Sequence, residues 1–316
     1  MNFVDWAVFG ALGAQTVRMA IPYMAAALGG IWSERSGVIN IALEGMILVG
    51  AFVSVTVHLA TSSAVLGLIA GSLAAAAMGL AHALVCVIGR VDAIVSGIAL
   101  NLVAAGGTRF ILRALYQSSS NSPPVEGFRI AAFQGASVVN LIERTVLDPC
   151  TLLIVALAPL TAWVFLHTRF GLRVRASGEA PNAAASIGVP VNRIRIFAVT
   201  IGGAIAGVGG VALAYDQHQF QAGMSAGRGF MALAAVIVAG WRPMPAMLAC
   251  VVFAFLEGLQ IVLQDKQLVS PNLVQMVPYA VTLATLLLIG IRRRRAASSN
   301  VSTTGGPPAG LGVNVT

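Results

Sequence analysis

Polar residues that interrupt long apolar stretches are the first candidates for a functional role in this sequence. They are Asn40, Glu44, Asn101, Glu257 and Gln260. Inside a bilayer such side chains are costly, and they face a cavity or another helix. Two roles are open for each of them. One is hydrogen bonding between helices or anchoring of a loop, and the other is contact with a solute on a translocation pathway.

The residue patterns of known catalytic centres are missing from the sequence. A phosphate-binding Walker A loop needs glycine-rich backbone amides and a lysine, but the single lysine, Lys266, has no glycine-rich setting. His58, His82 and His167 lack metal-ligand spacing, and the three cysteines form no CxxC pair. No His-Asp-Ser constellation emerges either. We therefore expect no enzyme, no catalytic residue, no metal site and no bound cofactor.

The composition places most of the chain in lipid. Hydrophobic residues make up 58% of the sequence and charged residues 9%, and the mean hydropathy is +0.87. This leaves too little polar surface for a water-soluble globule. The net charge is +8, but the arginines stand in short clusters between apolar runs rather than along one face. That pattern is typical of cytoplasmic loops and excludes nucleic acid as the expected partner.

Apolar runs of about 20 residues predict an all-α bundle of about eight to ten membrane spans. The candidate spans are residues 7–30, 39–59, 64–89, 93–114, 147–167, 196–214, 228–241, 244–264 and 272–291. The seventh is short and begins at Arg228, which favours a half-helix or a re-entrant segment. Gly203 and Gly207 stand at GxxxG spacing in the sixth, and this spacing predicts close helix packing.

The arginine clusters predict the orientation of the bundle. Residues 292–295 and the basic segment 169–195 should both face the cytoplasm, and an even number of spans separates them. Residues 115–146 then lie outside. Residues 296–316 are rich in Ser, Thr, Gly and Pro and have no apolar periodicity. We expect a transmembrane domain over residues 1–295, followed by a disordered cytoplasmic tail over residues 296–316.

A long polar interruption at residues 171–193 separates the fifth and sixth spans. Pro181 suits the first turn of a helix, and Glu179 suits its positive end. Gly188 and Pro190 should end that helix about two turns later. A short, stiff cytoplasmic helix is therefore expected. From the residues alone, two roles of this helix are equally possible. It could dock to a soluble partner, or it could be an inert connector.

Four stretches together resemble a known family. They are SERSGVINIALEG at 33–45, DAIVSGIALN at 92–101, the segment 171–193 with its GEAPNAAASIG run, and AGRGFMALA at 226–234. In this order they resemble the ABC importer permeases of the branched-chain-amino-acid and simple-sugar superfamily, in the subgroup for nucleosides and simple sugars. The resemblance covers about residues 15–291 and leaves out the tail.

The resemblance implies a division of labour among subunits. Segment 171–193 would be the coupling loop that contacts an ABC ATPase subunit. Its residues at matching positions are Gly171, Arg173, Arg175, Glu179, Pro181, Ala183, Ala184 and Gly188. A second permease subunit would complete the pathway in a bacterial inner membrane. The resemblance favours a heterodimer of two different permease subunits over a homodimer. An extracytoplasmic solute-binding protein would deliver a nucleoside or simple sugar.

Two other classes of function compete with this expectation. A secondary carrier would couple transport to intramembrane acids such as Glu44 and Glu257 instead of a partner ATPase. An integral membrane enzyme would need a catalytic cluster near one interface, and the sequence offers none. The coupling-loop resemblance favours the ABC permease over both.

Overall fold

The chain is described here by a computed structural model, which covers residues 3–128, 147–265, 306–313 and the single positions 280, 284, 287 and 291. Ten α-helices lie in these ranges. They are α1 Phe3–Arg35, α2 Leu43–Thr61, α3 Ala64–Ala83, α4 Ala93–Tyr116, α5 Pro149–His167, α6 Arg169–Glu179, α7 Pro181–Ser186, α8 Val191–Asp216, α9 Arg228–Val238 and α10 Pro243–Asp265. A π-helical turn, Leu84–Ile88, extends α3. The predicted all-α bundle is confirmed.

Each of the first eight predicted spans coincides with one of these helices. Six helices of the described residues are long and apolar enough to cross a membrane: α2, α3 with its π-helical extension, α4, α5, α8 and α10. Helix α1 has 33 residues and is long enough, but it is less apolar, and its residues 25–31 are buried within the bundle. The ninth predicted span, 272–291, lies outside the described residues except at four positions.

Side-chain caps fix the first turns of four helices. Ser63, Asp92, Asp148 and Thr168 precede α3, α4, α5 and α6, and each accepts hydrogen bonds from backbone N–H groups of the following turn. The first N–H groups of a helix have no partner within the helix, and lipid offers none. These caps therefore set where the helices begin.

Glycines let α8 approach α3 and α1 closely. A Cβ on Gly203 would lie 2.6 Å from the carbonyl oxygen of Ala75 in α3. A Cβ on Gly207 would lie 2.6 Å from the Cβ of Ala75. Gly202 of α8 faces Gly29 of α1, and a methyl group on either would overlap the carbonyl oxygen of the other. The predicted packing role of Gly203 and Gly207 is thus confirmed.

Two ends of the bundle can be distinguished. At the first, which we call the basic end, α1 finishes at Arg35, and α6 and α7 lie beside the start of α8. At the opposite end, α8 finishes at Asp216, which forms an ion pair with Arg18 of α1. Helix α4 ends nearby, because Ser120 and Ser122 pair with the backbone of residues 220 and 222.

Part of the tail differs from the expectation. Residues 306–313 form a turn that packs at the basic end: Gly310 N donates to Gly178 O at 2.7 Å, and Gly312 N donates to Gly37 O at 2.9 Å. Disorder is therefore not what the structure shows for these eight residues. The composition predicted disorder because the tail contains few apolar side chains. The backbone N–H groups, which composition does not count, make the contacts instead. The rest of 296–316 lies outside the described residues.

Candidate translocation pathway and coupling segment

Two helix N-termini meet inside the bundle and share one carboxylate. Helix α2 begins at Leu43 and α9 begins at Arg228. Glu44, in the first turn of α2, accepts hydrogen bonds from Gly227 N and Gly229 N, each at 2.7 Å. Both N-termini carry partial positive charge, which the carboxylate offsets. Glu44 therefore joins α2 to the start of α9.

The meeting point lies deep inside the bundle. Helix α9 has 11 residues, which is about 16 Å and only about half of a hydrocarbon core. Arg228, at its start, contacts Tyr23 of α1. Tyr23 lies 12 residues before Arg35, or about 18 Å from the basic end along α1. Helix α9 is thus the half-helix that its short apolar run predicted.

Asparagines hold the loop that leads to Glu44. Asn101 of α4 accepts a hydrogen bond from Gly45 N at 2.8 Å and donates one to Ile41 O at 3.0 Å. Asn40 is fully buried and donates to Ser33 Oγ at 3.0 Å. Irregular backbone at membrane depth is tolerated only where protein or a cavity surrounds it. These amides supply the partners that the loop needs.

A second polar group surrounds the first turn of α9. Glu257 of α10 accepts hydrogen bonds from Arg228 Nη2 and from the hydroxyl of Tyr23, both at 2.7 Å. Arg228 also donates to Met224 O at 2.9 Å, and its guanidinium lies 6.0 Å from the centre of the Tyr23 ring. This ion pair is mostly buried, with side-chain exposures of 11% for Arg228 and 21% for Glu257. It joins α1, α9 and α10 at the same depth as Glu44.

The close approach of α2 and α9 depends on a glycine. A Cβ on Gly229 would lie 2.5 Å from the backbone nitrogen of Glu44 and 2.7 Å from its Cα. Gly227, at φ +83°, adopts a left-handed conformation that glycine adopts without strain. Any larger residue at 229 would push the two N-termini apart and break the bonds to the carboxylate.

Four of the five predicted pathway residues thus hold other parts of the bundle. Glu44 and Glu257 both contact the first turn of α9, while Asn40 and Asn101 anchor the loop before α2. Gln260, half-buried on α10, makes no hydrogen bond to another described residue. Contact with a solute stays a prediction for all five. Tyr23 and Arg228 belong to the same group and were not predicted, although an arginine at the start of an apolar run was a usable signal.

An open cavity of about 610 Å³ lies at the opposite end of the bundle. It is lined by Arg109, Phe110, Arg113, Ser119, Ser120, Asn121, Gln221 and Ala222. Residues 217–227 run from the end of α8, past this cavity, to the start of α9. The cavity and the α9 N-terminus are therefore joined by one short stretch of chain.

The basic end presents the segment that was predicted to couple to an ATPase. Pro181 occupies the first turn of α7, and the helix ends at Ser186, as predicted. Gly188 follows at φ +84°. Residues upstream, for which no helix was predicted, form the helix α6. Its first turn is capped by Thr168, whose side chain accepts from Gly171 N at 3.0 Å, and a cap of this kind is a recognisable helix start.

Two residues of this segment have roles that differ from the prediction. Ala184 was expected to face a partner, but it is only 4% exposed and packs against its own chain. Asn182, Ala183, Ala185 and Ser186 are exposed, and Ile187 is 79% exposed. Glu179 ends α6 and does not cap α7, because its carboxylate binds Arg35 at 3.7 Å and Ala309 N at 3.1 Å. Ala180 is the cap residue and makes no side-chain bond.

A chain of contacts leads from this segment to α9. Arg35 binds Glu179 and also donates to Trp241 O at 3.0 Å. The Trp241 indole donates to Glu34. Trp241 follows the end of α9 by three residues. The coupling segment is thus connected, through the end of α1, to the half-helix whose other end binds Glu44 and Glu257.

Comparison with known proteins identifies the family. Residues 13–286 match the family described as "Branched-chain amino acid transport system / permease component". The chain belongs to this permease family. It is therefore a transport component with several helices that can cross a membrane.

Several curated relatives resemble this permease over most of its length. The guanosine ABC transporter permease protein NupQ of Bacillus subtilis is 34% identical over 86% of this chain and 89% of the relative. The nucleoside ABC transporter permease protein NupC of Lactococcus lactis is 33% identical over 84% and 88%. The putative glucose ABC transporter permease protein TsgC13 of Haloferax volcanii is 32% identical over 88% and 91%. No solved structure matches the permease.

Proposed function

We propose that this permease forms, with a second permease subunit, the passage of an ATP-driven importer for nucleosides. The observation that carries the choice of solute is the similarity to the relatives named for guanosine and nucleosides, at 34% and 33% identity over more than four fifths of the chain. A relative named as a putative glucose permease follows at 32% identity over 88% of the chain. Nucleosides are therefore the first solutes to test and glucose the second.

The polar group around α9 supports a pathway at this position. A nucleoside is neutral and carries hydroxyl and amide-like groups that need hydrogen-bond partners when it leaves water. The first turn of α9 brings an arginine, a tyrosine hydroxyl and two carboxylates together at mid-membrane depth. Residues 217–227 link this turn to the polar cavity at the opposite end, where the solute would enter from a binding protein.

The coupling segment is the proposed contact for the ATPase subunit. The exposed side chains of α7 are short, and the exposed Ile187 follows the helix. A groove on a partner could therefore lie close to α7 and receive the isoleucine. The contacts through Arg35 and Trp241 would transmit a displacement of α7 to the C-terminal end of α9. A half-helix can move as a rigid body because a loop joins it to the rest of the chain at each end.

The competing secondary carrier has no support from the comparisons. The structure also gives its coupling acids other partners. Glu44 accepts hydrogen bonds from two backbone amides, and Glu257 accepts them from Arg228 and Tyr23. Each carboxylate already has an internal partner in place of a transported ion.

Uptake into proteoliposomes tests the proposal. The permease is co-purified with a candidate ABC ATPase subunit and a candidate second permease subunit, and a solute-binding protein is supplied. We expect ATP-dependent accumulation of radiolabelled guanosine, and none when the ATPase subunit is omitted. Unlabelled adenosine should compete, and glucose should not. Accumulation of glucose without guanosine would move the assignment to sugars, and accumulation driven by an ion gradient without ATP would refute an ABC importer.

A further inference from the structure

Residues 308–313 of the tail, which we call the tail clasp, bind two parts of the basic end at once. Gly310 N donates to Gly178 O at 2.7 Å, and Ala309 N donates to the Glu179 carboxylate at 3.1 Å. Gly312 N donates to Gly37 O at 2.9 Å. Pro308 and Gly310 are buried. The clasp therefore bridges the coupling segment and the loop between α1 and α2.

A buried arginine depends on the same clasp. Arg195 of α8 is 2% exposed. Its guanidinium donates to Ser36 O at 3.1 Å, to Ser177 O at 3.1 Å and to Val313 O at 2.7 Å. A buried charge without hydrogen-bond partners is strongly unfavourable. The three carbonyls come from the α1–α2 loop, from α6 and from the clasp, so Arg195 ties these three segments together.

The fit of the clasp against α7 is sterically specific. A Cβ on Gly310 would lie 2.7 Å from Pro181 Cδ and 2.8 Å from Gly178 O. By contrast, a Cβ on Gly306 would have no atom within 4 Å. The family match ends at residue 286, so the residues of the clasp lie beyond the part of the chain that is shared with the family.

We propose that the tail clasp positions the coupling helix α7 relative to the α1–α2 loop, and thereby sets how efficiently ATP hydrolysis drives transport. The loop it holds at Gly37 leads within seven residues to Glu44, which binds the N-terminus of α9. A displacement of α7 thus reaches the α9 N-terminus through the clasp as well as through Arg35. The role of the clasp in transport rests on the proposed function. The contacts that the clasp makes do not depend on it.

Hydrogen exchange on the assembled complex tests the contact without any solute. Three forms are compared: wild type, Gly310→Val, which cannot fit against Pro181, and Gly306→Val, the same change where space is open. We expect the amides of Ala309, Gly310 and Gly312 to exchange at least about tenfold more slowly in wild type and Gly306→Val than in Gly310→Val. The amides of Ala184 and Val189 at α7 should also exchange faster in Gly310→Val. Equal exchange in all three forms would refute the clasp.

Transport measurements on the same three forms test its role. With guanosine as the probe, we expect Gly310→Val to hydrolyse at least about twice as much ATP per guanosine imported, because a loosened α7 transmits less of its motion. Deletion of residues 306–316 should behave in the same way, and Gly306→Val should match wild type. An unchanged ratio in both clasp variants would overturn the positioning role. If wild type imports no guanosine, the proposed function fails, and the exchange rates at Ala184 and Val189 still decide whether the clasp positions α7.

Discussion

The carboxylate of Glu44 joins the N-termini of α2 and α9 deep inside the bundle. Each of its oxygens accepts one backbone N–H, and no water is available in lipid to replace either bond. A neutral side chain at this position would leave two partial positive charges facing each other. The identity of this residue is thus set by the structure around it, whether or not a solute also contacts it.

Loss of this carboxylate should destabilise the permease measurably. Glu44→Ala leaves Gly227 N and Gly229 N without a partner, and we expect the free energy of unfolding to fall by about 3 kcal/mol, since hydrogen bonds to charged groups contribute about 1.5 to 3 kcal/mol. Glu44→Gln keeps one acceptor and should lose about half as much. Unfolding in mixed micelles measures both. Gln260→Leu, at a side chain with no hydrogen bond to another described residue, is the control. Equal stability of Glu44→Ala and the control would contradict the role of Glu44.

At the scale of elements, the sequence predicted the helices better than their meeting points. Runs of apolar residues located eight spans because crossing lipid demands about 20 of them in a row. The junction of α2 and α9 could not be predicted in this way, because hydropathy follows the chain and does not report which ends come together. Helix α6 was missed for another reason: Arg173 and Arg175 lower the hydropathy, although the cap at Thr168 marked a helix start.

The side of α7 that faces a partner is likewise visible only in the structure. Periodicity cannot be assigned in a helix of six residues, so Ala184 was placed on the outer face although it is buried. Its neighbours Ala185 and Ile187 are exposed. A docking test must therefore change those residues, because a charge at Ala184 would disturb the permease itself.

Ile187→Asp should weaken the contact with the ATPase subunit without harming the permease. The side chain is 79% exposed, and surface substitutions of this kind usually change stability by less than about 0.5 kcal/mol. Loss of a central apolar anchor commonly costs an interface about 2 kcal/mol or more, which is about a thirtyfold weaker affinity. Binding of the purified ATPase to permease in nanodiscs measures it. Ser298→Arg in the tail is the control. Undiminished binding of Ile187→Asp would refute docking at this face.

At the scale of the whole molecule, the structure divides polar groups between two ends and one central layer. The basic end holds α6, α7 and the tail clasp. The opposite end holds the cavity with Arg109 and Arg113. The central layer holds Glu44, Arg228 and Glu257. A solute arriving at the cavity and an ATPase acting on α7 would thus work on the two ends of one short helix, α9, through residues 217–227 on one side and Trp241 on the other.

The orientation of this arrangement is the last prediction. Arginine-rich segments stay on the cytoplasmic side, so the basic end should face the cytoplasm and the cavity should face outward. Native Cys86, Cys150 and Cys250 are buried and can be replaced by serine or alanine to remove background labelling. In that background, a cysteine at the exposed Ser119 should react with a membrane-impermeant maleimide in intact cells.

The matched position is Ser186, which is exposed on α7 at the other end. A cysteine there should react only after the membrane is permeabilised, and a reporter fused after Arg295 should be active on the cytoplasmic side. Labelling of Ser186→Cys in intact cells, with Ser119→Cys protected, would invert the bundle. It would then place α7 and the tail clasp on the side where no ATPase can reach them, and the coupling role of this segment would fail together with the orientation.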